Sequence, residues 1–165
     1  GRDMEAVIDA FLILAREADI APQSAEFEAR DIAHEQVERV RPLLLNKPVS
    51  IEVVDNGAPR LFGPPHVLSV MLANLLSNAA QFTDHGSIEV RLEPDRIEVR
   101  DTGIGMDEQT LAKAFEPFYR ADIAREEAKG MGLSIARRLG ERMGWPVSLQ
   151  SRRGEGTVAT IRFIG

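Results

Sequence analysis

The stretch that most constrains this chain runs from Leu72 to Thr83, Leu-Ala-Asn-Leu-Leu-Ser-Asn-Ala-Ala-Gln-Phe-Thr. Leu68, Met71, Leu72, Leu75, Leu76 and Ala79 recur at helical spacing, which predicts an amphipathic helix with a buried apolar face. Asn74, Asn78 and Gln81 fall at i, i+4 and i+7, so a stripe of carboxamides runs beside that face. Asparagine is a mediocre helix former, and a buried carboxamide without partners costs about 1–3 kcal/mol. Something must compensate the stripe. Hydrogen bonds to neighbouring loops would do so, and so would a polar ligand.

At 165 residues the chain fits one domain with an appendage and is long enough for a core. Its hydrophobic content of 44% and charged content of 28% are those of an ordinary folded domain. The net charge of −6 gives no general basic surface, so a nucleic-acid partner is not expected. Cysteine is absent, which excludes disulfides and thiolate metal sites and suits a cytosolic setting. Apolar runs such as Ala10 to Ala15 fall far short of the roughly 18 residues a membrane span needs. The chain opens on Gly1 rather than methionine and has no signal peptide, so a fragment of a longer protein is expected.

Residues 3–19 read as a helix with Met4, Val7, Ile8, Phe11, Leu12, Ala15 and Ala18 on one stripe, followed by a linker from Ile20 to Ala25 around Pro22. A second helix is expected over 27–46, its apolar side formed by Ile32, Ala33, Val37, Val40, Leu43 and Leu44, with Pro42 arguing against a regular end. Strands are expected at 49–55 and 61–62, then at 88–92 and 97–100 as a hairpin around Pro94-Asp95. A short helix at 107–114, a turn at 115–119 and a charged loop at 121–129 precede a helix at 131–143 ended by Gly144. The final strands, 147–151 and 157–164, flank Arg152 to Gly156. Helices and antiparallel strands without regular βαβ alternation imply an α+β two-layer sandwich.

Three glycine-bearing stretches invite chemistry. Asp101-Thr-Gly103-Ile-Gly105-Met106 follows a strand directly; it fits a turn, or a backbone that a ligand approaches closely beside an accepting carboxylate. Gly130-Met-Gly132-Leu133 precedes a helix, where free N–H groups suit an anion, although a hinge would use the same residues. Gly154-Glu-Gly156-Thr157 is most simply a hairpin turn.

In this order and spacing, Asn74-x-x-x-Asn78-Ala, Asp101-x-Gly-x-Gly, Phe115-Glu-Pro-Phe118, Gly130-x-Gly-Leu and Gly154-x-Gly-Thr resemble the ATP-binding catalytic domain of sensor histidine kinases. More loosely they are similar to the wider ATPase superfamily of DNA gyrase, heat-shock chaperones and mismatch-repair proteins. The resemblance covers residues from about 27 to 163. It implies a Bergerat-type fold, a mixed sheet of about five strands on three helices, with ATP held under a mobile lid formed by the charged loop. It makes Asn74 and Asn78 the catalytic pair, with Asn78 coordinating Mg²⁺ through its side-chain oxygen. Asp101 would accept from the adenine amino group, with Gly103, Ile104, Gly105 and Met106 along the base. Phe118, Tyr119 and Arg120 match positions of nucleotide contacts, Gly130 to Leu133 (Met131 and Gly132 between them) would close on the phosphates, and Thr157 would support the adenine end.

The resemblance also assigns a reaction. Hydrolysing relatives carry glutamate four residues before the magnesium asparagine, where it polarises water; Asn74 cannot accept that proton, which favours transfer to histidine. Gln81 departs from the lysine or arginine usual there, and Ala128 stands where the glycine-rich stretch ordinarily begins. Residues 1–22 would be a remnant of the second dimerisation helix plus linker, and 23–165 the ATP-binding domain. The phosphoacceptor helix is missing, so the fragment is expected to bind ATP or ADP without phosphorylating itself. The implied partners are that helix in its own homodimer and a response-regulator receiver domain, with the fragment itself monomeric, in the cytoplasmic part of an inner-membrane sensor. His34-Glu35 looks superficially like a phosphoacceptor box, but it lies on the domain's own first helix; His66 and His85 flank the nucleotide helix, where solvent exposure is the ordinary fate. Two other readings stay open: a serine kinase acting on an anti-sigma antagonist, and a nucleotide-sensing interaction module without transfer chemistry.

Overall fold

A computed structural model of the chain describes residues 24–116 and 132–163. The expected helix at 3–19, the loop at 121–129, and the positions Phe118, Tyr119, Arg120, Gly130 and Met131 lie outside the described residues.

The apolar stripe at 68–79 does form a helix, and the rest of the fold is wrapped around it. This helix, α2, runs Pro65–Phe82 and follows α1 (Ala29–Val40); α3 (Glu108–Lys113) and α4 (Gly132–Met143) come later in the chain. Pro65 suits the first turn of α2, where a missing N–H costs nothing. Val67, Leu68, Met71, Leu72, Leu75, Leu76, Ala79 and Ala80 of α2 are all buried. Burial of each large side chain contributes about 1.5–3 kcal/mol, which outweighs the propensity cost of roughly 0.7 kcal/mol for an asparagine. α2 packs against α1 on one side and α4 on the other and also touches the sheet, so it is the centre of the helix layer. The short α3, capped by Asp107 Oδ1 accepting from Thr110 N at 2.7 Å, has no fully buried residue.

Seven strands occur among the described residues: β1 (Ala25–Glu28), β2 (Val49–Asp55), β3 (Arg60–Gly63), β4 (Gly86–Glu93), β5 (Arg96–Asp101), β6 (Val147–Arg152) and β7 (Gly156–Arg162). Five of them form one mixed sheet in the order β2-β4-β5-β7-β6. Only β2 and β4 run parallel, and α2 lies in the crossover such neighbours require. Ile88, Val90 and Leu92 of β4, Ile97 and Val99 of β5, and Ala159 and Ile161 of β7 alternate onto the helix side. The opposite face is charged. There Glu98 meets Arg96 and Arg100, each at 2.7 Å. Burial pushes the Glu98 carboxyl up, but these two guanidinium bonds outweigh it and hold the group below the usual range. A face so paired needs no second helical layer, and the α+β two-layer sandwich with three packed helices follows.

Two expectations change. Residues 25–28, read as the end of a linker and the start of a helix, form β1, which pairs antiparallel with β3 in a separate two-stranded sheet. Phe27 packs against the core there, which an exposed helical start would waste. The helix expected over 27–46 is therefore only α1, followed by a 3-10 turn at Arg41–Leu44 where Pro42 removes the next helical hydrogen bond. That change of pitch swings Leu43 out, to 57% exposure, while Leu44 stays buried.

Leu72→Ala is expected to lower stability in urea unfolding by about 2–5 kcal/mol, whereas Leu43→Ala stays within about 0.5 kcal/mol of wild type. Equal losses at the two positions would contradict this packing.

Candidate functional site

The sheet and α2 meet at the carboxyl end of β5. Asp101 closes that strand, and its Oδ1 accepts two backbone bonds, from Gly103 N at 2.9 Å and Thr157 N at 3.2 Å. Oδ2 makes no hydrogen bond among the described residues. Burial pushes the Asp101 carboxyl above the usual range, against the pull of the Gly103 and Thr157 N–H groups. The site thus holds a half-buried carboxylate with one spoken-for oxygen and one unspent acceptor.

The loop after Asp101 is fastened at both ends. Ile104 N donates to Phe82 O at 3.1 Å, at the last residue of α2. Gly154 N donates to Ile104 O at 2.7 Å, and Met106 N to Ser151 Oγ at 2.8 Å. These bonds explain the two glycines. A Cβ on Gly103 would run into Phe82 O and lie 2.9 Å from Thr83 Oγ1. A Cβ on Gly105 would collide with Arg152 O, and its φ of +67° is one that side chains resist. The glycines serve backbone packed on backbone, which places Ile104 (38% exposed) outward at the loop's crest.

Asn74, Asn78 and Gln81 sit half-buried on α2, with Asn78 and Gln81 in its last two turns beside this loop. The amides of Asn74 and Asn78 make no hydrogen bond with the described residues. Among the described residues, therefore, no neighbouring loop compensates the stripe at these two positions. Among the described residues no group of three or more His, Asp or Glu could hold a metal ion. Gly132 is the first residue of α4, and the Leu133 side chain packs partly buried against the core, so only its backbone could serve an anion. Thr157 is buried, and its hydroxyl lies 2.8 Å from Ser151 Oγ. His34, His66 and His85 are exposed, and no helix among the described residues is long and apolar enough to cross a membrane.

Two residues with a part in this geometry were missed. Lys47 Nζ donates to Ala80 O at 2.8 Å and Thr83 O at 3.4 Å, so it caps the carbonyl end of α2, where a cation also suits the helix dipole. Nothing local marks Lys47 for this; its rarity among so many arginines was the only signal. Ser151 stands opposite Thr157 in the β6–β7 register, which the alternation of both strands encodes. A surface depression of about 400 Å³ lined by Glu26, Phe27, Glu28, Asp31, Ile32 and Arg60 lies apart from all these residues, its arginine already paired with Glu26 and Glu28.

A carboxyl whose pKa rises on folding favours the fold while protonated, and that contribution is lost as pH climbs through the raised value. At neutral pH the Asp101 charge therefore weighs against the fold. Asp101→Asn keeps an oxygen for Gly103 and Thr157 and is expected to melt above wild type at pH 7 without nucleotide, the gap closing as pH falls through the carboxylate range. Thermal scans between pH 7 and pH 4 check this, and a lower melting temperature at pH 7 refutes it.

Known proteins resemble this chain in sequence and fold. Residues 63–164, more than half of the chain, match the family described as histidine kinase-, DNA gyrase B-, and HSP90-like ATPase. The sensor histidine kinase RcsC of Escherichia coli (strain K12) is 30% identical over 166 residues, covering 95% of this chain and 17% of that protein. The chain thus spans about a sixth of the length of the curated relatives it matches. Among solved structures, the cytoplasmic segment of histidine kinase QseC aligns with a TM-score of 0.70 at 23% identity, covering 99% of this chain and 95% of that one. Full-length ShkA in complex with AMPPNP aligns with a TM-score of 0.79 at 23% identity, covering 97% of this chain and 36% of that one. At those identities the structures establish the fold. The chain belongs to the histidine kinase-, DNA gyrase B- and HSP90-like ATPase family and forms an ATP-binding domain of that family.

Proposed function

We propose that this domain binds ATP on α2 and the Asp101–Met106 loop and delivers its γ-phosphate to a histidine on the dimerisation helices of a sensor histidine kinase. The single observation that carries the reading is the set of unspent polar atoms on these two elements: the Asn74 and Asn78 amides and Asp101 Oδ2. Asp101 Oδ2 suits the exocyclic amino group of adenine, a charge-assisted bond of about 1.5–3 kcal/mol. Gly103, Ile104, Gly105, Met106 and Thr157 would border the base, and Phe118, Tyr119, Arg120 and Gly130 to Leu133 the ribose and phosphates. Gln81 would donate to phosphate without bringing charge.

The donor set also fits Mg²⁺. Without a carboxylate cluster among the described residues, the ion would arrive with the nucleotide, held by Asn78 Oδ1, phosphate oxygens and water. When bound, Mg²⁺ supplies neutralisation of charge on the triphosphate. Asn74 has no basic atom to take a proton from water, so hydrolysis is not assisted. The acceptor is an imidazole nitrogen: its bond to phosphorus forms as the bond to the ADP oxygen breaks, and the ring sheds its proton. The aspartate of a response regulator then receives the phosphoryl group. Residues 1–22 would belong to the dimerisation domain and 23–165 to the ATP-binding domain, in a homodimeric sensor that presents both on the cytoplasmic side of an inner membrane. The sensor histidine kinase relatives, of which the matched region is about a sixth, support its being one part of a longer sensor.

Calorimetry is expected to show magnesium-dependent binding of ATP and ADP, weakened at least about tenfold, or 1.4 kcal/mol, by Asn78→Ala or Asp101→Asn. With labelled ATP and a separately prepared phosphoacceptor dimer, phosphohistidine accumulates. Binding without transfer identifies a nucleotide-sensing module instead; no binding at all rejects the proposal.

A further inference from the structure

On the helix-facing side of the sheet, the register sets residues in rows. Val147, Ile161, Ile97 and Leu92 stand side by side on β6, β7, β5 and β4. Leu149, Ala159, Val99 and Val90 form the next row, and Ser151, Thr157, Asp101 and Ile88 the one after it. Three polar residues thus continue, in phase, two rows that are apolar throughout. Asp101 and Thr157 enter the nucleotide reading, but Ser151 has no part in it.

We propose that Ser151 is a positioning residue for base recognition, fixing the direction in which the Thr157 hydroxyl points its proton. Ser151 Oγ accepts from Met106 N at 2.8 Å, donates to Gly156 O at 2.9 Å, and lies 2.8 Å from Thr157 Oγ1. A serine hydroxyl has one proton and two lone pairs. With the proton on Gly156 O and one lone pair on Met106 N–H, only a lone pair is left for Thr157. The Thr157 proton therefore points at Ser151, and the oxygen of Thr157 is left as an acceptor. On the neighbouring strand Asp101 Oδ1 takes the Thr157 N–H, which leaves Oδ2 as a second acceptor.

Two adjacent acceptors suit a ligand edge that donates, an exocyclic amino group or a water that such a group holds. They reject an edge presenting a carbonyl oxygen, because that leaves buried acceptors facing another acceptor. This rests on the reading of Asp101 as the base acceptor and deepens it: Ser151 sets the preference for a 6-amino over a 6-oxo purine.

The test is calorimetric affinity of the 165-residue chain for ADP and IDP, with Mg²⁺. Ser151→Ala frees the Thr157 proton, and the ADP-over-IDP preference is expected to fall about five- to tenfold, with Ser151→Thr restoring it. Thr157→Val removes the hydroxyl but keeps the N–H to Asp101, and is expected to lower the preference by a similar factor. On that background Ser151→Ala adds nothing, as it must if it acts through Thr157. An unchanged preference in Thr157→Val, or in a folded Ser151→Ala, overturns the proposal while leaving ADP binding intact. So does a further drop in the double variant. Absence of ADP binding by wild type overturns the nucleotide reading and this proposal together.

Discussion

Everything in this domain depends on how the apolar face of α2 is buried. That face supplies eight side chains to the core and keeps the helix wedged between α1 and α4 over the sheet. Burial on this scale tolerates two asparagines on the adjoining stripe, because the eight buried side chains together outweigh both the propensity loss and the cost of unmade hydrogen bonds. The helix is thus held by one face and is free to be chemically unsuitable on the next. Asn74 and Asn78 are consequences of that surplus.

The same division of labour governs the end of β5. Backbone bonds to Phe82, Gly154 and Ser151 hold the loop after Asp101, and Lys47 closes the carbonyl end of α2 from a turn far off in sequence. None of these fastenings uses the amides of Asn74 and Asn78 or the second oxygen of Asp101. Main-chain groups of the loop and of α2, tied to one another, to the Ser151 hydroxyl and to Lys47 Nζ, set the geometry, and among the described residues these side-chain atoms are left over.

Much of this was legible in the residues. The 3.6-residue period at 68–79 specified α2 and six of the eight residues of its buried face, all but Val67 and Ala80, and the two-residue period at 88–92 and 97–100 specified the central hairpin around Pro94-Asp95. Order and spacing of the glycine and asparagine motifs located Asp101 and its loop. What escaped was non-local or short. The four residues of β1 become a strand only because Arg60–Gly63 lies beside them, and no periodicity over so short a span could say so. Pro42 announced an irregular end to α1 but not the 3-10 turn that turns Leu43 outward. The residues left open whether the glycines of the Asp101 loop serve a turn or a ligand's approach; the carbonyls of Phe82 and Arg152 already require them bare. The bonds of Lys47 to Ala80 and of Met106 to Ser151 span 33 and 45 residues of chain and appear only once strands and helices are in place.

The row formed by Ser151, Thr157 and Asp101 has a consequence for how this sequence can change. Because those residues share the phase of Leu149, Ala159 and Val99, the polar row and the core are read from one alternation. Deleting or inserting a single residue within β6 would turn Gln150 or Arg152 toward Thr157 and, in the same stroke, turn Leu149 to solvent. Strand length is thus as fixed as residue identity. Within the β6–β7 hairpin, insertions avoid both rows at the exposed turn around Arg153 and Glu155, where only the bond from Gly154 N to Ile104 O must be kept.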